Sequence, residues 1–168
     1  CSPSGQCGCC TAIMDGKARI SCQLSPERAD GAVIQTLEGL DAAEVDRMGK
    51  VFAACGALQC GFCTPGIMIR TKVLVDKKGP ELEREYAARH LGAHLCRCTG
   101  YIKILDAVES LARSEIPEID QNEGIGSSLI KYEAHDLAEG KRPFIDDLEV
   151  EGILHGAFKL ADYARADI

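Results

Sequence analysis

From about Asp41 onward, apolar residues return every three or four positions. Val45, Met48, Phe52 and Cys55 line one side of a helix. A second helix can begin at Pro65, which suits a first turn, and Ile67, Ile69, Val73 and Leu74 continue it. The run Lys77-Lys78-Gly79-Pro80 ends it. A third helix is predicted from near Glu81 to Leu91. A fourth is predicted from Tyr101 to about Arg113, with Ile104, Leu105, Val108 and Leu111 on one side. Four helices with short connections predict a compact bundle.

The pattern before Asp41 is different. "TAIM" and "KARISC" are short runs rich in strand formers around Asp15-Gly16, which is a hairpin signal. Ala32 to Thr36 reads as another short strand. After the helices the periodicity lapses. Ser114 to Ser128 is polar, contains Pro117 and two glycines, and reads as a linker. A mixed pattern then starts a further unit. The expected organisation is therefore 1–39, 40–113, a linker over 114–128, and 129–168, in an α+β chain.

Val51 to Ile69 carries no charge, which raises the question of a membrane span. Gly56, Gln59, Gly61, Thr64, Pro65 and Gly66 interrupt it, with Cys60 and Cys63 in the middle, so it reads as two buried helix ends joined by a functional loop. The net charge of −7 argues against a nucleic-acid partner and against a polybasic membrane patch. Residue 1 is a cysteine inside a motif, and an N-terminal piece is expected to be missing.

Ten cysteines are many for 168 residues, and none lies beyond Cys98. A secreted disulfide scaffold spreads its cysteines over the domain it staples, so these thiols point to local sites and a cytoplasmic setting is expected. Eight of them fall into two groups of four. Cys1, Cys7, Cys10 and Cys22 follow C-x5-C-x2-C-x11-C, close to the C-x4-C-x2-C spacing of plant-type [2Fe-2S] sites. Gly5 and Gly8 let the backbone curl around an anionic centre, and the hairpin brings Cys22 back to the loop. Cys60, Cys63, Cys96 and Cys98 follow C-x2-C-x32-C-x-C, each pair in a loop between helices. A bundle with its loops at one end can gather these four around one metal centre. Zinc is the alternative occupant, although the C-x-C half is less typical of it. A redox-active C-x2-C would want a thioredoxin-like βαβ setting, which is lacking. His94 reads as a loop or capping residue, Cys9 as a small packing residue and Cys55 as core.

Together these motifs resemble the iron–sulfur portion of the xanthine dehydrogenase/aldehyde oxidoreductase family, the molybdenum hydroxylases. "GQCGCCTAIMDGKARISC" is similar to that family's first-cluster loop and hairpin. "QCGFCTPGIMI" and "HLCRCTGYIKILDAV" look like its second-cluster signatures. The stretch "IGSSLIKYEAHDLAEGKRPFIDDLEVEGILHGAF" is similar to the opening of its molybdopterin-binding part. The resemblance implies a truncated β-grasp, ferredoxin-like domain, then a four-helix [2Fe-2S]-binding bundle, then the beginning of an α/β domain. It implies two [2Fe-2S] clusters, on Cys1, Cys7, Cys10 and Cys22 and on Cys60, Cys63, Cys96 and Cys98. It implies that Gln59 and Cys98 touch the pterin of a molybdenum cofactor bound mainly by residues outside this chain. Electrons would pass from that cofactor through both clusters to a flavin subunit or another acceptor. The molybdenum ligands and catalytic base would lie after Ile168, so no catalytic residue is expected here.

Several positions depart from the family pattern. The first gap is x5 where better-known members have x4, Cys9 stands for a small residue, and "LGAHLC" replaces "LSGNLC". Lys131 stands where an arginine is more common. The opening "CSPSGQCGCC" is similar to a subgroup described as selenium-dependent. Arg97 reads as an ion-paired residue shaping the loop between two ligands.

Overall fold

A computed structural model describes residues 1–119 and 124–165. Strands β1 (Thr11–Met14) and β2 (Lys17–Ile20) form the hairpin, with Thr11 opposite Ile20 and Met14 opposite Lys17. Asp15 and Gly16 both have positive φ, 49° and 73°, as a two-residue turn matched to strand twist requires. A short helix, α1 (Pro26–Ala29), leads to β3 (Ile34–Gln35), which pairs antiparallel with β1. The sheet order is β2-β1-β3. The third strand is shorter than the run from Ala32 to Thr36, because its pairing with β1 stops after two residues.

Four helices follow: α2 (Ala42–Ala54), α3 (Thr64–Lys78), α4 (Arg84–Leu91) and α5 (Tyr101–Ala112). Asp41 caps α2, its carboxylate accepting from the Ala43 and Glu44 amides at 3.0 and 3.1 Å. Gly79, at φ 52°, ends α3 where "KKGP" predicted a stop. A short turn of 3-10 helix fills Gly79–Glu81, so α4 starts three residues later than Glu81.

The apolar stripes of the helices meet in one core. Phe52, Val51 and Met48 from α2 pack with Ile67, Met68 and Ile69 from α3 and with Ile104, Val108 and Leu111 from α5. Ile13 and Ala18 of the hairpin join the same cluster, and β1 lies against α3. The sheet is thus too small to own a core and borrows one from the helices.

After Arg113 the chain contributes α6 (Ala134–Ala138), which packs on α2 through Ala134, Leu137 and Ala138. Among the described residues from 129 onward there is a second helical turn, Ile145–Asp147, and no strand. The α/β start expected there is not built within this segment: a strand needs a neighbour to close its ladder, and Val150, Leu154, Phe158 and Leu160 stand exposed. No helix among the described residues is long and apolar enough to cross a membrane.

Candidate metal centres

The first group is built on a loop that folds back onto its own hairpin. Ser21 donates from both its amide and its hydroxyl to the Cys10 carbonyl, at 3.1 and 2.6 Å. That clamp puts Cys22 beside Cys10, and the Cys22 amide points at the Cys10 sulfur, 3.5 Å away. The Gly8 carbonyl accepts from the Thr11 amide and hydroxyl at 3.2 and 2.6 Å, which fixes the other side of the loop. Cys1, Cys7, Cys10 and Cys22 all line one open cleft of about 510 Å³. Gly61, Phe62, Leu95 and Phe144 form its far wall.

The second group is built on helix ends. Cys60 and Cys63 lie in the turn before α3, where Gly61 sits at φ 84° and the Thr64 amide bonds the Gly61 carbonyl at 3.0 Å. Cys96 and Cys98 lie in the turn before α5. Tyr101 shapes that turn: its hydroxyl accepts from the Cys96 amide at 2.8 Å and donates to the His94 carbonyl at 3.2 Å. The Gly100 amide points at the Cys96 sulfur at 3.4 Å. Cys63 and Cys96 are buried side by side. Burial first, then the neighbouring Cys96 thiol, push the Cys63 pKa up to about 12, with Cys60 adding to it. A bound cation reverses that balance, because a coordinating thiol is deprotonated outright.

Cys9 lies between the groups. Burial pushes its pKa up to about 12, and thiols of the first group, Cys7 and Cys10, and of the second, Cys60, add to the rise. The Cys9 amide and side chain hold the Cys7 pKa below the ordinary thiol value. The two loops also touch directly. The Leu95 amide bonds the Cys7 carbonyl at 2.9 Å. A Cβ at Gly8 would lie 2.6 Å from both the Ala93 oxygen and His94 Nδ1. A Cβ at Gly66, in the first turn of α3, would lie 3.0 Å from the Cys9 oxygen. Glycine is needed at both positions because backbone meets backbone there.

Gln59 and Cys98 come together at the surface, the Gln59 side-chain amide donating to the Cys98 carbonyl at 3.2 Å. Cys55 packs against the core beside Ser110, and all ten cysteines are free. His94 lies in the loop before Cys96, as expected, and is more deeply held than a loop residue need be. It is 2% exposed, its Nε2 accepts from Arg70 Nε at 3.3 Å, and burial lowers its pKa to about 4. Arg97 is exposed and has no ion pair among the described residues, where sequence reading expected one.

Arg70 and Tyr101 were not legible as site residues. Arg70 reaches from α3 to both His94 and, at 3.2 Å, the Ala18 carbonyl of β2, so it ties helix, loop and hairpin together. In the sequence it is one charge in an apolar helical run. Tyr101 carried a faint signal, since it opens a helix directly after a C-x-C pair.

Four thiols converge on one cleft in the first group, and peptide amides aim at a sulfur in both groups. A polynuclear iron centre asks for that donor set.

The [2Fe-2S] binding domain family matches residues 36–109, which contain the whole second group. The chain is 41% identical over 105 residues to the nicotinate dehydrogenase small FeS subunit of Eubacterium barkeri, covering 62% of this chain and 66% of that one. It is 42% identical over 106 residues to the xanthine dehydrogenase iron-sulfur-binding subunit of Escherichia coli O157:H7, covering 62% and 67%. It therefore spans about two thirds of the length of these relatives. Among solved structures, the aldehyde oxidoreductase of Desulfovibrio gigas superposes with a TM-score of 0.72 at 32% identity, over 86% of this chain and 17% of that chain. The small sheet and the helices described above are thus a fold shared with part of that enzyme. Sequence and fold agree that this chain belongs to the iron–sulfur portion of the xanthine dehydrogenase/aldehyde oxidoreductase family, the molybdenum hydroxylases.

Proposed function

We propose that this chain is the electron-transfer part of a molybdenum hydroxylase and holds two [2Fe-2S] clusters. The observation that carries the reading is the sorting of eight thiols into two separate places. Cys1, Cys7, Cys10 and Cys22 share a cleft, and Cys60, Cys63, Cys96 and Cys98 sit at the starts of α3 and α5. When bound, each cluster accepts and returns one electron at a time. The protein's part is to hold four thiolates per site, to turn the Cys22 and Gly100 amides toward sulfur, and to bury the second site more deeply than the first.

In this reading residues 1–39 are the ferredoxin-like domain of β-grasp type, α2 to α5 form the four-helix bundle of 40–113, and 114–128 is the linker. Residues 129–168 begin the molybdopterin-binding unit. Gln59 and Cys98, hydrogen-bonded to each other, offer the edge that faces the pterin. The partners are the catalytic molybdopterin-binding part and a flavin subunit or another electron acceptor.

Spacing weighs against zinc. A tetrahedral zinc with Zn–S of about 2.3 Å holds its sulfurs about 3.8 Å apart. Among the described residues no three cysteine sulfurs lie within 4.8 Å of one another. A two-iron centre shares four thiolates between two metals and needs no such trio. Anaerobic reconstitution with iron and sulfide tests the proposal. About four irons and four sulfides per chain are expected, with a brown colour and two distinct EPR signals on reduction. A colourless protein that takes up stoichiometric zinc and no sulfide overturns it.

A further inference from the structure

Where α6 crosses α2, three side chains converge that involve none of the cysteines. Asp46 comes from α2, while His135 and Glu139 come from α6 and its C-cap, four residues apart. His135 Nε2 lies 3.2 Å from Asp46 Oδ1 and 3.3 Å from Glu139 Oε1, and the three ligand atoms lie within 4.8 Å of one another. Gly49 leaves the room they occupy. A Cβ there would lie 3.1 Å from His135 Cδ2 and 3.2 Å from Nε2, displacing the ring.

Three observations point to a cation. Nitrogen and oxygen ligands about 2.0–2.2 Å from a tetrahedral zinc stand about 3.3–3.6 Å apart, close to the two spacings at His135. The Glu139 side chain is 3% exposed, and the enclosed His135 Nε2 makes no directed hydrogen bond to either carboxylate. Buried polar atoms ordinarily find such partners. Finally, each carboxylate is anchored by its other oxygen. Lys50 holds Asp46 Oδ2 at 2.7 Å and Lys141 holds Glu139 Oε2, which leaves one oxygen of each turned to the imidazole.

We propose that Asp46, His135 and Glu139 form a zinc site, completed by water, that fastens the segment carrying α6 onto α2. One imidazole and two carboxylates are a donor set that zinc accepts. The ion replaces a single contact between α6 and α2, His135 on Asp46, with one centre bonded to both elements. Lys50 and Lys141 offset the carboxylate charge, so the site binds less tightly than a thiolate site and loads from free zinc.

Equilibrium dialysis of the purified full chain against zinc ions tests this, because zinc on thiols is common to all variants and cancels in the difference. Wild type is expected to retain one zinc more than His135→Ala. Asp46→Asn is expected to weaken that extra site at least about tenfold. Asp76→Asn, which removes a carboxylate paired with Lys72 on α3, is expected to leave it unchanged. Zinc is also expected to slow hydrogen exchange over α6 in wild type alone. Equal retention by wild type and His135→Ala, or the same exchange response in both, overturns the proposal. Anomalous scattering from wild-type crystals grown in zinc decides the matter should a variant fail to fold: a peak among the three ligand atoms supports the site, and none there overturns it.

Discussion

Cys22 and Cys96 stand in opposite surroundings. Cys22 rides on the end of a hairpin, partly exposed, at the rim of an open cleft. Its place is set by a clamp across its own hairpin, Ser21 on Cys10. Cys96 is 6% exposed and reaches Cys63 only because α3 and α5 pack together. The first centre is therefore a local structure leaning on a foreign core, and the second is part of the core. Local loops close at little entropic cost and are cheap to reopen, whereas a site shared between helices opens only when the helices part. In the relay proposed above, the contrast gives one buried end and one reachable end.

The largest effect that would sharpen this contrast is loss of one centre alone. Cys22→Ser is expected to abolish the EPR signal of the first centre and spare the second, and Cys98→Ser the reverse, each leaving about half the iron. A variant that lost both signals, or neither, would show that the two groups are not separate sites. Next in size, Phe52→Ala empties a fully buried position in the core that also holds Cys63 and Cys96. It is expected to cost about 3–5 kcal/mol in denaturant unfolding and to broaden the second signal more than the first. Equal broadening would mean that the hairpin depends on the helical core as fully as the helix ends do. Smallest is Gly8→Ala, at φ 68° in the seam between the loops. A left-handed alanine costs about 1–2 kcal/mol before any clash. Because its Cβ would press on Ala93 and His94, it is expected to shift both EPR signals together, unlike either cysteine variant.

Much of this molecule can be read along the chain. The hairpin turn needs only Asp15-Gly16, α2 needs only its apolar period and Asp41, and α3 ends at Gly79 because few residues but glycine combine φ 52° with ψ −138°. The close pairs Cys60–Cys63 and Cys96–Cys98 are legible for the same reason, whereas the meeting of the two pairs depends on how α3 and α5 pack. The tail was not legible. Its mixed pattern gave no element and the α/β unit was expected only from the family resemblance, while the described residues there leave their apolar side chains without a sheet to join. The burial of His94 was not legible, because nothing local says that a loop histidine lies under Gly8 and takes a bond from Arg70.

What the order of residues settles by itself is the hairpin, the helices α2 to α5 and the closely spaced cysteine pairs, because hydrophobic period, turn chemistry and short ligand spacings act over a few positions. What only the folded molecule decides is which distant parts meet. The seam that joins the Cys7 loop to Leu95, the Arg70 tie between helix and hairpin, and the meeting of Asp46 with His135 each join residues more than fifty positions apart. Such meetings follow from how helices cross and which surfaces they bury together, and that depends on the whole core at once.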